Sequence, residues 1–293
     1  MAIAMAGFTM NDALTKLAGE SINMGQVMLI RGVFATVFIG LIAFQQGALT
    51  RLRHAVHPMV AVRSLGEVLA TICFLIALSN LPIANVSAVL QALPLAVTMG
   101  AALLLGEPVG WRRWMSIAVG FAGVLIIVQP GYDGFSVYSV WALACVFFCT
   151  VRDIATKRVP PEIPSFVVST VTAASVTIAG ALLVQPMGGW TSPSGSTVAT
   201  LALAAVLLVI GYQFIIMSMR MGDISFIAPF RYTALLWSIL LGYLVFSDVP
   251  DAVMIVGSAV IVGSGLYMLN RERIRGARVS ATSVSPSMGP DGL

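Results

Sequence analysis

Histidine is almost missing from this chain: there are two in 293 residues, and both, His54 and His57, fall in one short loop. Cysteine is hardly commoner. Cys73, Cys145 and Cys149 each lie inside an apolar run, and although Cys145 and Cys149 share a helical face, no histidine or carboxylate joins them. A transition-metal site therefore has no ligand set, and the thiols read as small apolar fillers. Also absent are a Gly-rich phosphate loop, a zinc-protease helix and any grouping of nucleophile, base and orienting residue. These absences argue against ATP-driven transport and hydrolytic catalysis, and they imply no cofactor and no metal. Charge is the deepest deficit. Asp, Glu, Lys and Arg make up 10% of the chain, hydrophobic residues 58%, and the mean hydropathy is +0.96. A soluble domain of this length does not need so much apolar sequence, whereas a chain dissolved in a lipid bilayer does.

What is present are runs of about 20 apolar residues, each long enough to cross the hydrocarbon. Ten spans are expected, near 2–17, 24–44, 59–79, 83–105, 112–129, 136–156, 165–185, 197–219, 223–246 and 251–269. Short breaks separate them, such as Asn80-Leu81-Pro82, Gly106-Glu107-Pro108 and Pro160-Pro161. Only helices and closed barrels satisfy their own backbone in lipid, and these runs are too long and too continuously apolar for barrel strands. The first run carries Asn11, Asp12 and Lys16 in place of a cleavage site, so it reads as a span and not as a signal peptide.

The basic residues alternate. Arg51, Arg53, Arg112, Arg113, Lys157, Arg158, Arg220, Arg271, Arg273, Arg275 and Arg278 occupy every second connection and the end of the chain; the opposite connections hold only Lys16. The positive-inside rule then puts both termini in the cytoplasm of a cell with an inner membrane. The net charge of +4 follows from this topology without a nucleic-acid partner, and the basic tail favours anionic lipid. From about Ser280 the tail is rich in Ser, Pro and Gly and is expected to be disordered.

Asp12-Ala13-Leu14-Thr15-Lys16 returns 141 residues later as Asp153-Ile154-Ala155-Thr156-Lys157, and at the same offset Glu107 meets Asp248. The chain is read as a duplication, with one five-helix unit at 1–130, a second at 136–270 and a tail at 271–293. Five is odd, so the units run through the membrane in opposite senses. Inverted repeats are a common build of secondary carriers, because two similar bundles of opposite polarity expose a midplane site to each side in turn.

Ten spans in two units, the Gly106-Glu107-Pro108 turn, and a Gly-dotted last span from Gly257 to Gly265 running into Asn270-Arg271 resemble the EamA-type members of the drug/metabolite transporter superfamily. Ala228-Pro229-Phe230-Arg231-Tyr232 makes the chain most similar to the YddG-type amino-acid exporters. One departure is Ser247-Asp248, where the family often has Gly-Glu. The resemblance implies a basket-like bundle whose central cavity is lined by spans one, three, four, six, eight and nine.

Four arginines lie within spans, where charge is costly and usually functional. Arg63 precedes Glu67 by four residues and can pair with it along one helix. Arg152 adjoins Asp153 near a span end. Both are read as structural ion pairs. Arg31, about 10 Å below the outer surface at 1.5 Å per residue, either lines an outer vestibule or anchors the bundle. Arg231 lies roughly 13 Å deep with no acid three or four residues away, and Pro229 loosens its helix. A guanidinium there can grip a carboxylate bidentately; the alternative is a tether to Gln91 or Gln213. Gln91, Tyr212, Gln213, Tyr232, Trp237 and Trp141 complete the expected substrate wall, each with helix packing as its alternative role.

The sequence thus predicts an all-α integral membrane protein, a monomer. It would export amino acids, aromatic and apolar ones included, or similar small metabolites by alternating access. Each membrane acid has a neighbouring cation, which favours uniport. A proton-coupled drug or cation antiporter is the runner-up, and an intramembrane enzyme acting on lipid-linked substrates is the rival from another class. Cysteines placed at Asp133 and Asp251 should react with an impermeant maleimide from outside the cell, and cysteines at Arg53 and Arg113 should not. The reverse pattern rejects the orientation.

Overall fold

The computed structural model describes the chain except residues 46, 48–55, 107, 108, 132–134, 161, 222–227 and 284–293. For 165, 166, 212, 213, 215–221, 228, 229 and 272–283 only the backbone course is described. All the regular elements among the described residues are helices. In order they are α1 (Ala2–Gly19), α2 (Met24–Gln45), α3 (Pro58–Asn80), α4 (Ile83–Leu90), α5 (Leu93–Leu105), α6 (Trp111–Val128), α7 (Val137–Lys157), α8 (Ser165–Val184) and α9 (Gly195–Met221). A 3₁₀ turn at Ala228–Tyr232 then leads into α10 (Thr233–Phe246), and α11 (Ala252–Ser283) ends the described chain. Seven segments are long and apolar enough to cross a membrane; Gly195–Gly211 and Phe230–Phe246 are shorter apolar helices, and α1 completes the set of ten.

Local chemistry sets the boundaries. The His57 ring accepts from the Met59 amide and Ser136 caps the Tyr138 amide, each satisfying a donor that the first turn of a helix leaves free. Span four is broken, which the apolar run did not announce. Pro94 has no amide to offer the Leu90 carbonyl, so α4 stops at Leu90 and α5 restarts at Leu93. Span nine is broken too, at the 3₁₀ turn. The last helix runs on through the arginines to Ser283, past the point where the tail was expected to lose order.

The two ends of the bundle are distinguishable by contact. Lys16 Nζ donates to the Leu81 carbonyl (2.6 Å) and lies 5.0 Å from the Phe246 ring centre, while Asn23 reaches the Gly189 carbonyl. These all join one end. At the other, basic end, Arg158 donates to the Leu104 carbonyl. The buried core is rich in Ala, Val, Leu and Ile; exposed Phe44, Phe147, Leu182 and Leu244 mark the surface that meets lipid.

Packing repeats with the sequence. Helix starts coincide at the 141-residue offset for α2 and α8 (Met24, Ser165) and for α6 and α11 (Trp111, Ala252), and the breaks in spans four and nine fall within a residue of each other. The contacts transform likewise: α1 packs on α9 as α7 packs on α3, α1 on α10 as α7 on α5, and α2 on α9 as α8 on α3. Single atoms obey it as well. A Cβ on Gly7 would meet the Leu207 carbonyl at 3.2 Å, and a Cβ on Gly66 would meet Phe148, the partner of Gly7, at 3.2 Å. At the pseudo-two-fold axis two equivalent residues, Thr36 of α2 and Thr177 of α8, share a hydrogen bond of 3.0 Å.

Helices α5 and α10 end at equivalent left-handed residues, Gly106 (φ 68°) and Ser247 (φ 56°). Glycine holds that conformation without strain; serine carries a Cβ penalty of about 1 kcal/mol. Ser247→Gly should therefore raise the thermal unfolding midpoint in detergent, and Gly106→Ser should lower it. If neither moves, the caps do not limit stability.

Candidate functional site

Charge in the interior gathers where α2, α3, α8 and α9 diverge. A cavity of about 190 Å³ opens there, lined by apolar Ile39, Ile42, Val176 and Leu208 and by polar Arg31, Arg63, Glu67, Thr71, Ser169 and Thr172. Lining by spans two, three, seven and eight differs from the set the family resemblance implied. Most of the lining belongs to the half of the bundle nearer the basic end, since Arg63 and Ser169 lie within the first two turns of α3 and α8 from that end.

The expected Arg63–Glu67 pair does not form. Glu67 Oε2 instead accepts from Arg152 Nη1 of α7 at 3.1 Å, and Arg152 Nε also holds Asp153 at 2.8 Å. Arg152 is thus a two-way clamp between spans three and six. Gly66, whose missing Cβ lets α3 approach the Arg152 backbone, explains why the interhelical partner wins over the one on the same helix. Released from Glu67, Arg63 donates from Nη1 to Thr172 on α8, and its buried Nε has no partner. The Asp12–Lys16 neighbourhood is also rearranged. Lys16 leaves for Leu81, whereas Asp12 accepts from Asn11 Nδ2 at 2.9 Å and lies in the field of Arg31.

Of the remaining sequence-predicted residues, none whose side chain is described lines this cavity. Arg231 is exposed on the 3₁₀ turn. Tyr232 is buried beneath Gly265 of α11, its hydroxyl unpartnered, and a Cβ at 265 would overlap it. Gln91 is buried at the break of span four; Trp141 and Trp237 are partly exposed. Tyr212 and Gln213 lie on α9, but their side chains are outside the described residues. Sequence reasoning missed Thr71, Ser169 and Thr172 as wall residues and left Arg31 undecided. A signal was available. Asp12 and Asp153, and Lys16 and Lys157, are shared by both repeats, but Arg31, Arg63 and Glu67 face Thr172, Ala204 and Leu208 at the same offset. Arg31, Arg63 and Glu67, each charged in one repeat only, all line the cavity.

Residues 1–129 match the EamA-like transporter family. The riboflavin transporter of Vibrio cholerae serotype O1 is 30% identical over 198 residues, 67% of this chain and 66% of the relative. Over residues 1–129 the chain belongs to the EamA-like transporter family. It is also similar to the pseudopaline exporter CntI of Pseudomonas aeruginosa (26% identical, 89% of this chain and 91% of the relative). A third relative is the S-adenosylmethionine uptake transporter of Rickettsia felis (23%, 92% and 91%). The chain spans just under two thirds of the length of the Vibrio cholerae riboflavin transporter and of another, from Rhizobium johnstonii, 66% and 65%. A crystal structure of a protein 19% identical superposes with a TM-score of 0.60 over 92% of this chain and 97% of that one, a likeness of fold. The family and these relatives are transporters, which removes the intramembrane enzyme as a reading.

In this EamA-like chain the Glu67–Arg152–Asp153 triad makes a stability prediction. Removing one partner of a largely buried ion pair costs about 3 kcal/mol at the low end of the usual range, because the other charge is stranded. Arg152→Gln should lower the unfolding midpoint strongly and Glu67→Gln less. The double variant should recover part of the loss, because Glu67 is no longer left charged. Additive losses in the double variant would show that the residues do not act as a pair.

Proposed function

We propose that this chain exports amino acids, apolar and aromatic ones included, or similar small amphipathic metabolites across the inner membrane by alternating access, as a facilitated uniporter with both termini in the cytoplasm. The observation that carries the reading is the asymmetry of two otherwise equivalent halves. In the basic half the α2, α3, α8 and α9 walls part around the cavity. In the other half the equivalent positions are closed: Met28, Val68 and Leu183 pack with the buried apolar Ile22, Val27, Leu75 and Leu201, and Ala204 is fully buried. Exchanging the two arrangements opens the opposite side without a new fold, as inverted repeats allow.

The substrate class follows from the wall. Arg63 lines the cavity among Thr and Ser hydroxyls and beside Ile39, Ile42 and Leu208, with its Nη1 on Thr172 and its buried Nε unpartnered. A carboxylate on Arg63 with an apolar side chain against the isoleucines is the natural fit. Glu67 and Asp153 are held by Arg152, which leaves them poorly placed to carry protons and supports uniport. The relatives' names include both an exporter and an uptake transporter, so this architecture serves either direction. A second reading keeps Arg231 as the carboxylate grip, with Tyr232, Gln91, Tyr212, Gln213, Trp237 and Trp141 around it. The paired breaks of spans four and nine favour it, since interrupted spans at equivalent places mark carrier sites.

Counterflow of labelled amino acids in proteoliposomes tests both. Arg63→Gln should cut flux of free acids at least about tenfold, the worth of a charge-assisted hydrogen bond, and spare their methyl esters; Arg63→Lys should retain weak transport. Flux should persist when an ionophore collapses the proton gradient. Selective loss in Arg231→Gln instead would move the grip to the 3₁₀ turn. Normal acid transport by both glutamine variants would reject a carboxylate grip, and flux that dies with the proton gradient would reject uniport.

A further inference from the structure

On the far side of the bundle from the cavity, α6 and α11 pack against each other as equivalent helices, yet at the basic end they part to leave a groove of about 440 Å³. Its floor is Ser116, Gly263 and Ser264, and a Cβ at Gly263 would meet no atom within 4 Å. The floor looks polar in sequence but offers little to water. Ser116 Oγ donates to the Arg112 carbonyl and Ser264 Oγ to the Ile261 carbonyl, so both hydroxyl protons are already used within their own helices. The walls are the exposed Met115, Val119 and Tyr267. An apolar groove on a surface that faces hydrocarbon is filled by whatever is dissolved there.

The mouth decides what that is. Arg112 stands at the first turn of α6, its guanidinium 5.4 Å from the Trp111 ring centre, and Arg271 follows Tyr267 by one helical turn on α11. One lining cation, Arg112, two interfacial aromatics, Trp111 and Tyr267, and a second cation one helical turn beyond Tyr267 thus mark one end of an apolar slot, the arrangement that suits a phosphate head with a fatty chain behind it. A second copy of the chain is a poorer fit, because a two-fold contact across this groove would bring Arg112 and Arg271 against their own copies.

We propose that the groove between α6 and α11 is a binding site for one anionic phospholipid, with its phosphate on Arg112 and Arg271 and an acyl chain along Met115, Val119 and Gly263. The site is separate from the cavity and does not depend on which substrate the cavity takes.

Native mass spectrometry of the full chain, released from micelles and titrated with phosphatidylglycerol or phosphatidylcholine, tests this. The wild type should hold one phosphatidylglycerol about fivefold or more tighter than phosphatidylcholine, as one surface cation implies. Arg112→Gln should weaken that preference, and the double variant Arg112→Gln, Arg271→Gln should abolish it. Gly263→Leu, which has room for its side chain, should displace both lipids by filling the slot. Glycerol phosphate, which has the charge without the chain, should not compete. Equal retention of both lipids by the wild type, an unchanged preference in Arg112→Gln, undiminished binding in Gly263→Leu or competition by glycerol phosphate would each overturn the proposal. So would disulfide-linked dimers of Gly263→Cys forming efficiently in native membranes, which would give the groove to a second copy.

Discussion

The architecture turns on the contact between α2 and α8. Thr36 and Thr177 occupy the same place in the two repeats and are bonded to each other, so the pseudo-two-fold axis passes between them. Backbones approach closely along this seam: a Cβ on Gly25 would lie 2.7 Å from Val184 N, and one on Gly180 2.6 Å from Leu29 N. In hydrocarbon there is no hydrophobic drive between helices, and close approach with dispersion and short hydrogen bonds takes its place. Once α2 and α8 are fixed about the axis, the main flanking pairings come twice: α1 on α9 with α7 on α3, α1 on α10 with α7 on α5, and α2 on α9 with α8 on α3.

Symmetry of packing does not extend to charge. An arginine within the hydrocarbon is expensive unless it faces other protein or a cavity, and Arg31, Arg63 and Glu67 have no charged counterpart at the 141-residue offset. Arg152 offsets the cost of Glu67 by spanning α7 and α3. Its own counterpart in the first repeat is neutral Asn11, whose side chain is buried. The packing is therefore repeated between the two halves, whereas the charges that line the cavity are not. The same division separates the two apolar plugs: Ala18, Ile22, Val27 and Leu201 at one end correspond to Val159, Ile163, Val168 and Val60 at the other. The first is reinforced by Met28 and Leu75, and the second is left beside the open cavity.

Most of the fold was legible because span length, turn residues and the 141-residue echo are properties of the chain itself. The expected span at 24–44 is α2, and that at 165–185 is α8, to within a residue or two. Partners across helices were not legible. A four-residue spacing puts Arg63 and Glu67 on one face, but which of them meets a neighbour depends on how closely α3 approaches α7, and that is set by Gly66. The break in span four was readable from Pro94, had its missing donor been weighed against the apolar run. Arg231 drew attention through depth and isolation, features of one helix, whereas Arg63 matters through Thr172, 109 residues away.

The central claim is that one set of walls opens alternately at equivalent positions. Ser169 lines the open cavity, and Ala204, equivalent to Arg63, is fully buried in the closed half. Cysteines at Ser169 and Ala204, probed one at a time with a membrane-impermeant thiol reagent on oriented vesicles, report the two openings. The account predicts that Ser169→Cys reacts from the basic side and Ala204→Cys from the opposite side, and that any condition raising one rate lowers the other. Rates that rise together, or an Ala204→Cys that stays unreactive while substrate is being transported, would contradict it.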